Sequence, residues 1–243
     1  MNRFLAVLKW EVIRQYKNGF YLVSVFVLLI WIILFKQIQT SLLAGMMPMI
    51  ILGNLSMTTY FFMAGLVLFE KGEGSLEAQV VTPVRSVEYL AAKVLSLSLL
   101  ATVENLVITI TLVGLHFNFT AFFIGTFLAS VLLCLAGFLL VLRYDAINEF
   151  LIPSILYMLL LEAPIMAGLW MQHAFFWYIH PIYGSYLILQ AATQSVHWLQ
   201  ILYGVAYLLA AIIFMFKLSL QAFNRFVVRS EGEKKAHERF AAL

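Results

Sequence analysis

Charge is what this sequence has least of. Only 11% of its 243 residues are Asp, Glu, Lys or Arg, against about 25% in an ordinary soluble domain. Cysteine is nearly missing too: Cys134 stands alone, which excludes a disulfide framework and any cysteine-built metal site. There is no low-complexity segment, and no internal repeat of the kind that marks many secondary transporters. What fills the chain instead is apolar: 63% hydrophobic residues and a mean hydropathy of +0.96. Such a composition excludes a soluble globular protein, and disorder still more firmly. A helical span takes about 20 apolar residues, so the chain holds roughly six spans with short connections and has no room for a soluble domain.

The few charges mark where those spans end. The apolar runs place spans near Gly19–Ile38, Ala44–Phe69, Ala92–His116, Phe119–Leu142, Phe150–Met171 and Trp198–Ala222. An even number puts both termini on one side. Fourteen of the 15 basic residues then share a face, with only Lys36 on the other. By the positive-inside rule that face is cytoplasmic. The expected fold is an all-α membrane protein with six transmembrane helices and both termini in the cytoplasm. Arg14 and Lys17 directly before the first apolar run, with no small-residue site after it, argue against a cleaved signal peptide. Asn118-Phe119-Thr120 matches a glycosylation sequon, a pattern common by chance.

Residues 1–18 carry Phe4/Leu5, Leu8, Val12 and Tyr16 at helical spacing, with Arg3, Arg14 and Lys17 on another face. The pattern describes an amphipathic interfacial helix with its basic side toward anionic headgroups; a plain topology anchor is the alternative.

The longest interior loop, FEKGEGSLEAQVVTPVRSVEYLAAK from Phe69 to Lys93, is the most informative stretch. Gly72 and Gly74 permit a sharp turn out of the second span. Ser75 to Val81 has room for about two helical turns, with Leu76 and Val80 on one side and Glu77 on another. Thr82 is placed to cap a helix that has Pro83 at its first position and runs into the third span. An isolated short helix of this kind suits docking against a soluble partner, and an ordinary hydrophilic connector is the competing reading. Gly72-Glu73-Gly74 is no phosphate loop, since no Gly-Lys-Ser/Thr follows and no strand precedes it.

This loop resembles the signature of the type 2 permeases of ATP-binding-cassette (ABC) exporters. Glu70 and Lys71 stand where that family has a Glu-Arg pair, Gly74-Ser75-Leu76-Glu77 where it has Gly-Thr-Leu-Glu, and Ala92-Lys93 where it has Gly-Lys; Thr82-Pro83 matches outright. The resemblance implies a single transmembrane permease domain over residues 1–243. Its parts are the interfacial helix 1–18, a cytoplasmic coupling loop at 70–92, outer re-entrant helices in 172–197 and a cytoplasmic tail at 223–243. It further implies that Glu70, Glu73, Gly74, Ser75, Leu76, Glu77, Thr82 and Pro83 couple the chain to a separate ATPase subunit. ATP and Mg belong to that partner, this chain carries no cofactor, and a second permease chain completes the exporter in the cell (plasma or inner) membrane.

Polar residues inside the apolar runs are candidates for a translocation path or gate. Ser98, Thr102, Asn105 and Thr109 form a stripe along the third span, which fits either a wet path or helix packing. Glu104 lies near mid-membrane, where a carboxylate costs roughly 2.5–3.5 kcal/mol on insertion scales. Glu162 lies two residues before Pro164, an expected kink. Pro181 and Gly184 break the aromatic outer segment 172–197, where His173, His180 and His197 are interfacial residues or gate and metal candidates. Met46, Met47, Met49, Met57 and Met63 in the second span serve adaptable binding or plain packing. The rivals to a permease are a proton-coupled transporter using Glu104 and Glu162, an intramembrane enzyme built on Ser185 and His180, and a non-transporting scaffold. Nothing points to nucleic acid. The apolar path fits an amphiphilic cargo such as a drug, lipid or peptide.

Overall fold

In the computed structural model, residues 3–76, 82–168 and 175–229 are described. Glu77 and the rest of the expected short helix through Val81, His173, and the tail from residue 230 lie outside them. Every regular element among the described residues is helical. In order these are α1 (Arg3–Lys17), α2 (Phe20–Phe35), α3 (Thr40–Leu55), a π segment (Ser56–Phe61), α4 (Phe62–Gly72), α5 (Ser86–Val113), α6 (Phe119–Val141), α7 (Ile147–Gly168), a 3-10 turn (Phe175–Ile179), α8 (Pro181–Thr193), α9 (Trp198–Phe223) and a second π segment (Asn224–Arg229).

Four stretches are long and apolar enough to cross a bilayer: Leu42–Gly72, Ser86–Val113, Phe119–Val141 and Trp198–Val227. The pair α1 and α2, bent by 65°, makes a fifth when taken together as one broken span. The bend falls at Gly19, whose φ of 75° is open to glycine and strained for other residues. The apolar side chains left outside, Leu22, Phe26 and Ile33 on α2, Ile152, Leu156 and Leu160 on α7, and Ile213 and Phe214 on α9, are those a lipid solvent accepts and water does not.

The core is organised around α6, which packs against α4, the first π segment, α5, α8 and α9. Its contact with the π segment is the tightest. A Cβ added at Gly137 would lie 2.5 Å from the Tyr60 carbonyl oxygen, so this backbone crossing admits no side chain. The π segment has a local cause in its hydroxyls. Ser56 Oγ donates to the Leu52 carbonyl at 3.1 Å and Thr59 Oγ to the Leu55 carbonyl at 2.5 Å. Hydroxyls bonded to carbonyls four residues back compete with the amides that normally take them, and the turn widens.

Two readings from sequence are corrected here. The third-span helix opens at Ser86, not at Pro83: Glu88 Oε2 accepts the Arg85 amide at 3.0 Å, so the cap is set by the acid three residues inside the helix. Thr82 and Pro83 instead form an exposed bend before the helix, and Arg3 donates to the Pro83 carbonyl at 2.9 Å. The basic side of α1 is not uniformly turned to headgroups, because Arg14 points into the protein toward buried carboxylates while Trp10 and Tyr16 stay exposed. At the chance sequon match, Asn118 caps α6, its Oδ1 accepting from the Thr120 and Ala121 amides at 3.0 and 3.1 Å. Gly74 does turn the chain out of α4, with a φ of 66°.

Gly137→Ala is expected to lower stability by about 1–3 kcal/mol, the usual cost of overpacking, with the loss read as a lower midpoint in thermal denaturation of the detergent-solubilised protein. An unchanged midpoint would contradict the crossing.

Candidate functional site

Two clusters of buried polar side chains are built along the α3–α4 span, one at its end and one at its middle. The first lies at the foot of the 70–92 loop. Glu70, the last acid of α4, is 1% exposed. Its Oε1 accepts from Lys93 Nζ at 2.5 Å and from the Arg14 guanidinium, and its Oε2 accepts from the Tyr89 hydroxyl. Lys93, entirely buried, also donates to Glu11 Oε2 at 3.1 Å and lies 5.0 Å from the centre of the Tyr89 ring. Arg14 closes the circuit at 3.7 Å from Glu11 Oε1. Beside it Gln15 Nε2 donates to Ser96 Oγ at 2.7 Å. Two carboxylates and two cations thus neutralise one another where isolated charges would be prohibitively costly. They join α1, the end of α4 and the start of α5.

Lys71 reaches the other way. Its ammonium donates to the Leu142 carbonyl at 3.0 Å, the Tyr144 carbonyl at 2.6 Å and Asp145 Oδ1 at 3.0 Å. The loop foot therefore grips α1, α5 and the α6–α7 connection together. Of the residues expected to couple to a partner, Glu70 is buried, Leu76 is 2% exposed, and Ser75 Oγ donates to the Glu70 carbonyl at 3.3 Å. Glu73, Thr82 and Pro83 are exposed and Gly74 partly so. Glu70 positions the loop from below; the exposed residues are those that a soluble partner can touch.

The second cluster surrounds the first π segment. Glu104, 3% exposed, accepts from Thr58 Oγ at 2.7 Å, with Ser24 and Asn54 alongside. Among the described residues, its second oxygen and both amide atoms of Asn54 have no hydrogen-bond partner. Glu162 accepts from Ser56 on the same segment, sharing that hydroxyl's one proton with the Leu52 carbonyl. The two acids picked out from sequence, 58 positions apart, thus bind hydroxyls only two positions apart. Sequence reading passed over Ser56, Thr58 and Thr59, although three hydroxyls in four residues of an apolar run were the available signal.

The remaining candidates take their places along the helices and at helix ends. Ser98, Thr102, Asn105 and Thr109 are all buried. The last three donate to the Ser98, Ala101 and Asn105 carbonyls of their own helix at 2.7–2.8 Å, so the stripe lies in the bundle. Met47 and Met63 are fully buried. Pro164 falls within α7, and Pro181 opens α8. His180 caps α8 by accepting the Ile182 amide at Nδ1, 3.4 Å away, and burial pushes its imidazole below the usual range, toward the neutral form that accepts. His197 caps α9 in the same way through Leu199. Ser185 is fully buried; among the described residues its hydroxyl has no partner, and no Ser185–His180 hydrogen bond forms. Nor, among them, do three His, Cys, Asp or Glu side chains meet to hold a metal.

Long apolar helices with lipid-suited outer faces, pinned inside by one neutralised charge cluster, define a polytopic membrane protein. The chain belongs to the fluoroquinolones export permease protein family, whose model matches residues 2–231. It is 29% identical over 238 residues to the fluoroquinolones export permease proteins of two Mycobacterium tuberculosis strains, CDC 1551 / Oshkosh and ATCC 25618 / H37Rv. The match covers 96% of this chain and 99% of each relative. The permease resemblance carried by the loop agrees with that family.

Replacing Lys93 with Met leaves Glu11 and Glu70 sharing a single cation, and a loss of about 3–5 kcal/mol is expected. Adding Glu70→Leu should recover part of it, a coupling that a double-mutant cycle of thermal midpoints measures.

Proposed function

We propose that this chain is the membrane half of an ATP-driven exporter. Six spans cross the cell membrane, α7 being the sixth, with both termini in the cytoplasm. Two permease chains pair, and each engages a separate ATPase subunit at the 70–92 loop. Hydrolysis in that subunit moves the loop and switches the spans between inward- and outward-facing states. The observation that carries this reading is the construction of the loop foot. Glu70 and Lys93 fix both ends of the loop to α1, while Lys71 ties it to the α6–α7 connection. A push on the exposed Glu73 or on the Thr82-Pro83 bend therefore reaches three parts of the bundle at once. Such bracing is unneeded in a passive connector.

The cargo is amphiphilic, and the relatives' names make fluoroquinolone drugs the first class to try. ATP and Mg act on the partner; this chain hydrolyses nothing. A proton-coupled transporter is the second reading, favoured by the way Glu104 and Glu162 share the first π segment. An energy test separates the two. Vanadate, which traps ABC ATPases, stops export under the first reading, and a protonophore stops it under the second.

The purified chain alone should show no ATPase activity and should co-purify with a Walker-type ATPase when the two are expressed together. Deleting residues 72–82 should leave the chain in the membrane and abolish export measured as drug accumulation in cells. Normal export by that deletion would sink the coupling role of the loop.

A further inference from the structure

A cavity of about 200 Å³ lies between the first π segment, α6, α7 and α9. Its walls include Tyr60, Leu140, Tyr157, Leu161 and Met215, and one charged residue, Arg143. Among the described residues the Arg143 guanidinium makes no ion pair and no hydrogen bond; only its backbone amide is engaged, with the Leu140 carbonyl. The nearest acid in sequence, Asp145, is held by Lys71. Arg143 is exposed at the mouth of this otherwise apolar slot, where its guanidinium stays open to a charge-assisted pair with an arriving anion. Guanidinium is planar and forked, the geometry that takes a carboxylate through two parallel hydrogen bonds. Tyrosines from two separate elements and a polarisable methionine favour a flat aromatic body.

The cavity is also wired to the loop. Lys71 grips the carbonyls of Leu142 and Tyr144, the residues on either side of Arg143. Displacing the loop foot therefore moves the peptide that carries the guanidinium. On the other wall, Tyr60 is fixed by its hydroxyl to the Ser154 carbonyl of α7 at 3.3 Å and by its backbone to Gly137.

We infer that this cavity binds a flat aromatic carboxylate through Arg143, and that it is the inward-side intake for the exported cargo. The second part rests on the exporter reading. The volume is below the about 300–1,000 Å³ of sites that enclose a whole drug, so it takes the aromatic acid end and leaves the remainder of the molecule outside. Motion of Lys71 during the transport cycle withdraws Arg143 from the carboxylate and weakens the grip.

The test uses the full chain purified into lipid nanodiscs, with norfloxacin and its methyl ester followed by their own fluorescence. The free acid should bind more tightly than the ester. Arg143→Gln should lower affinity for the acid about tenfold and leave the ester unchanged, with Arg143→Lys falling between. Ala136→Trp, which fills the cavity, should remove binding of both. Equal affinity of the wild type for acid and ester overturns the site. So does unchanged binding of the acid in Arg143→Gln, a variant that leaves the cavity intact should the tryptophan not fold. Displacement of norfloxacin by added phosphatidylglycerol, equal in wild type and Arg143→Gln, would make the slot a lipid site and overturn the inference as well. In cells with the partner ATPase, norfloxacin export unchanged by Arg143→Gln would sink the intake and leave the exporter reading standing. Binding that follows the rules above, with no ATP-driven export, would overturn the exporter reading and keep the site.

Discussion

Glu70 and Lys93 meet at 2.5 Å in a part of the molecule where each is almost wholly shielded from solvent. Neither tolerates that environment unpaired, so each holds the other's helix in place. Arg14 and Glu11 complete the neutralisation, and through them α1 is drawn against the bundle. The 70–92 loop leaves and re-enters the fold through this one buried circuit. Its direction, the packing of the N-terminal helix and the reach of Lys71 to the α6–α7 connection all follow from it. A pair of apolar residues would pack as well and be no less stable. What they would lack is a single allowed register between three elements.

The first π segment is the complementary constraint in the interior. Ser56 and Thr59 turn their hydroxyls onto carbonyls one turn back, which widens the helix. The widened turn brings the Tyr60 backbone onto Gly137 and presents Ser56 and Thr58 to Glu162 and Glu104. The same departure from α geometry thus serves α5, α6 and α7 at once. Tyr60 also walls the cavity beside Arg143, so the Lys71 grip and the π segment act on opposite sides of one space.

Much of the architecture was legible in the residues. The apolar runs at 119–142 and 198–222 reappear as α6 and α9 within a residue or two, because a span needs only length and apolarity and both are local properties. Glu104 and Glu162 were conspicuous for the same reason: a carboxylate in an apolar run violates a local rule. The hydroxyls that receive them were not, since serine and threonine are at home in a membrane helix. Thr82-Pro83 illustrates the opposite error. Its local cap-and-proline pattern was sound, but Glu88 sets a stronger cap at Arg85, and Arg3, about eighty residues away, holds the Pro83 carbonyl in the bend. His180 and His197, read as interfacial residues or as gate and metal candidates, cap their own helices, a backbone role that composition does not signal.

The sequence by itself determined that the chain is helical and membrane-spanning, and that its charges gather near the ends of spans. Those facts rest on solvation of single segments, which each segment carries with it. Only the tertiary structure decided which charges neutralise which, and that Arg143 is left over beside a cavity. Lys93 is buried, whereas Arg143 is exposed and has no side-chain partner among the described residues, although both are basic residues at the ends of apolar runs. The difference lies in what the fold brings opposite them: two carboxylates from distant helices in one case, and an apolar slot in the other. Pairing across dozens of residues depends on helix packing, and no local pattern encodes it.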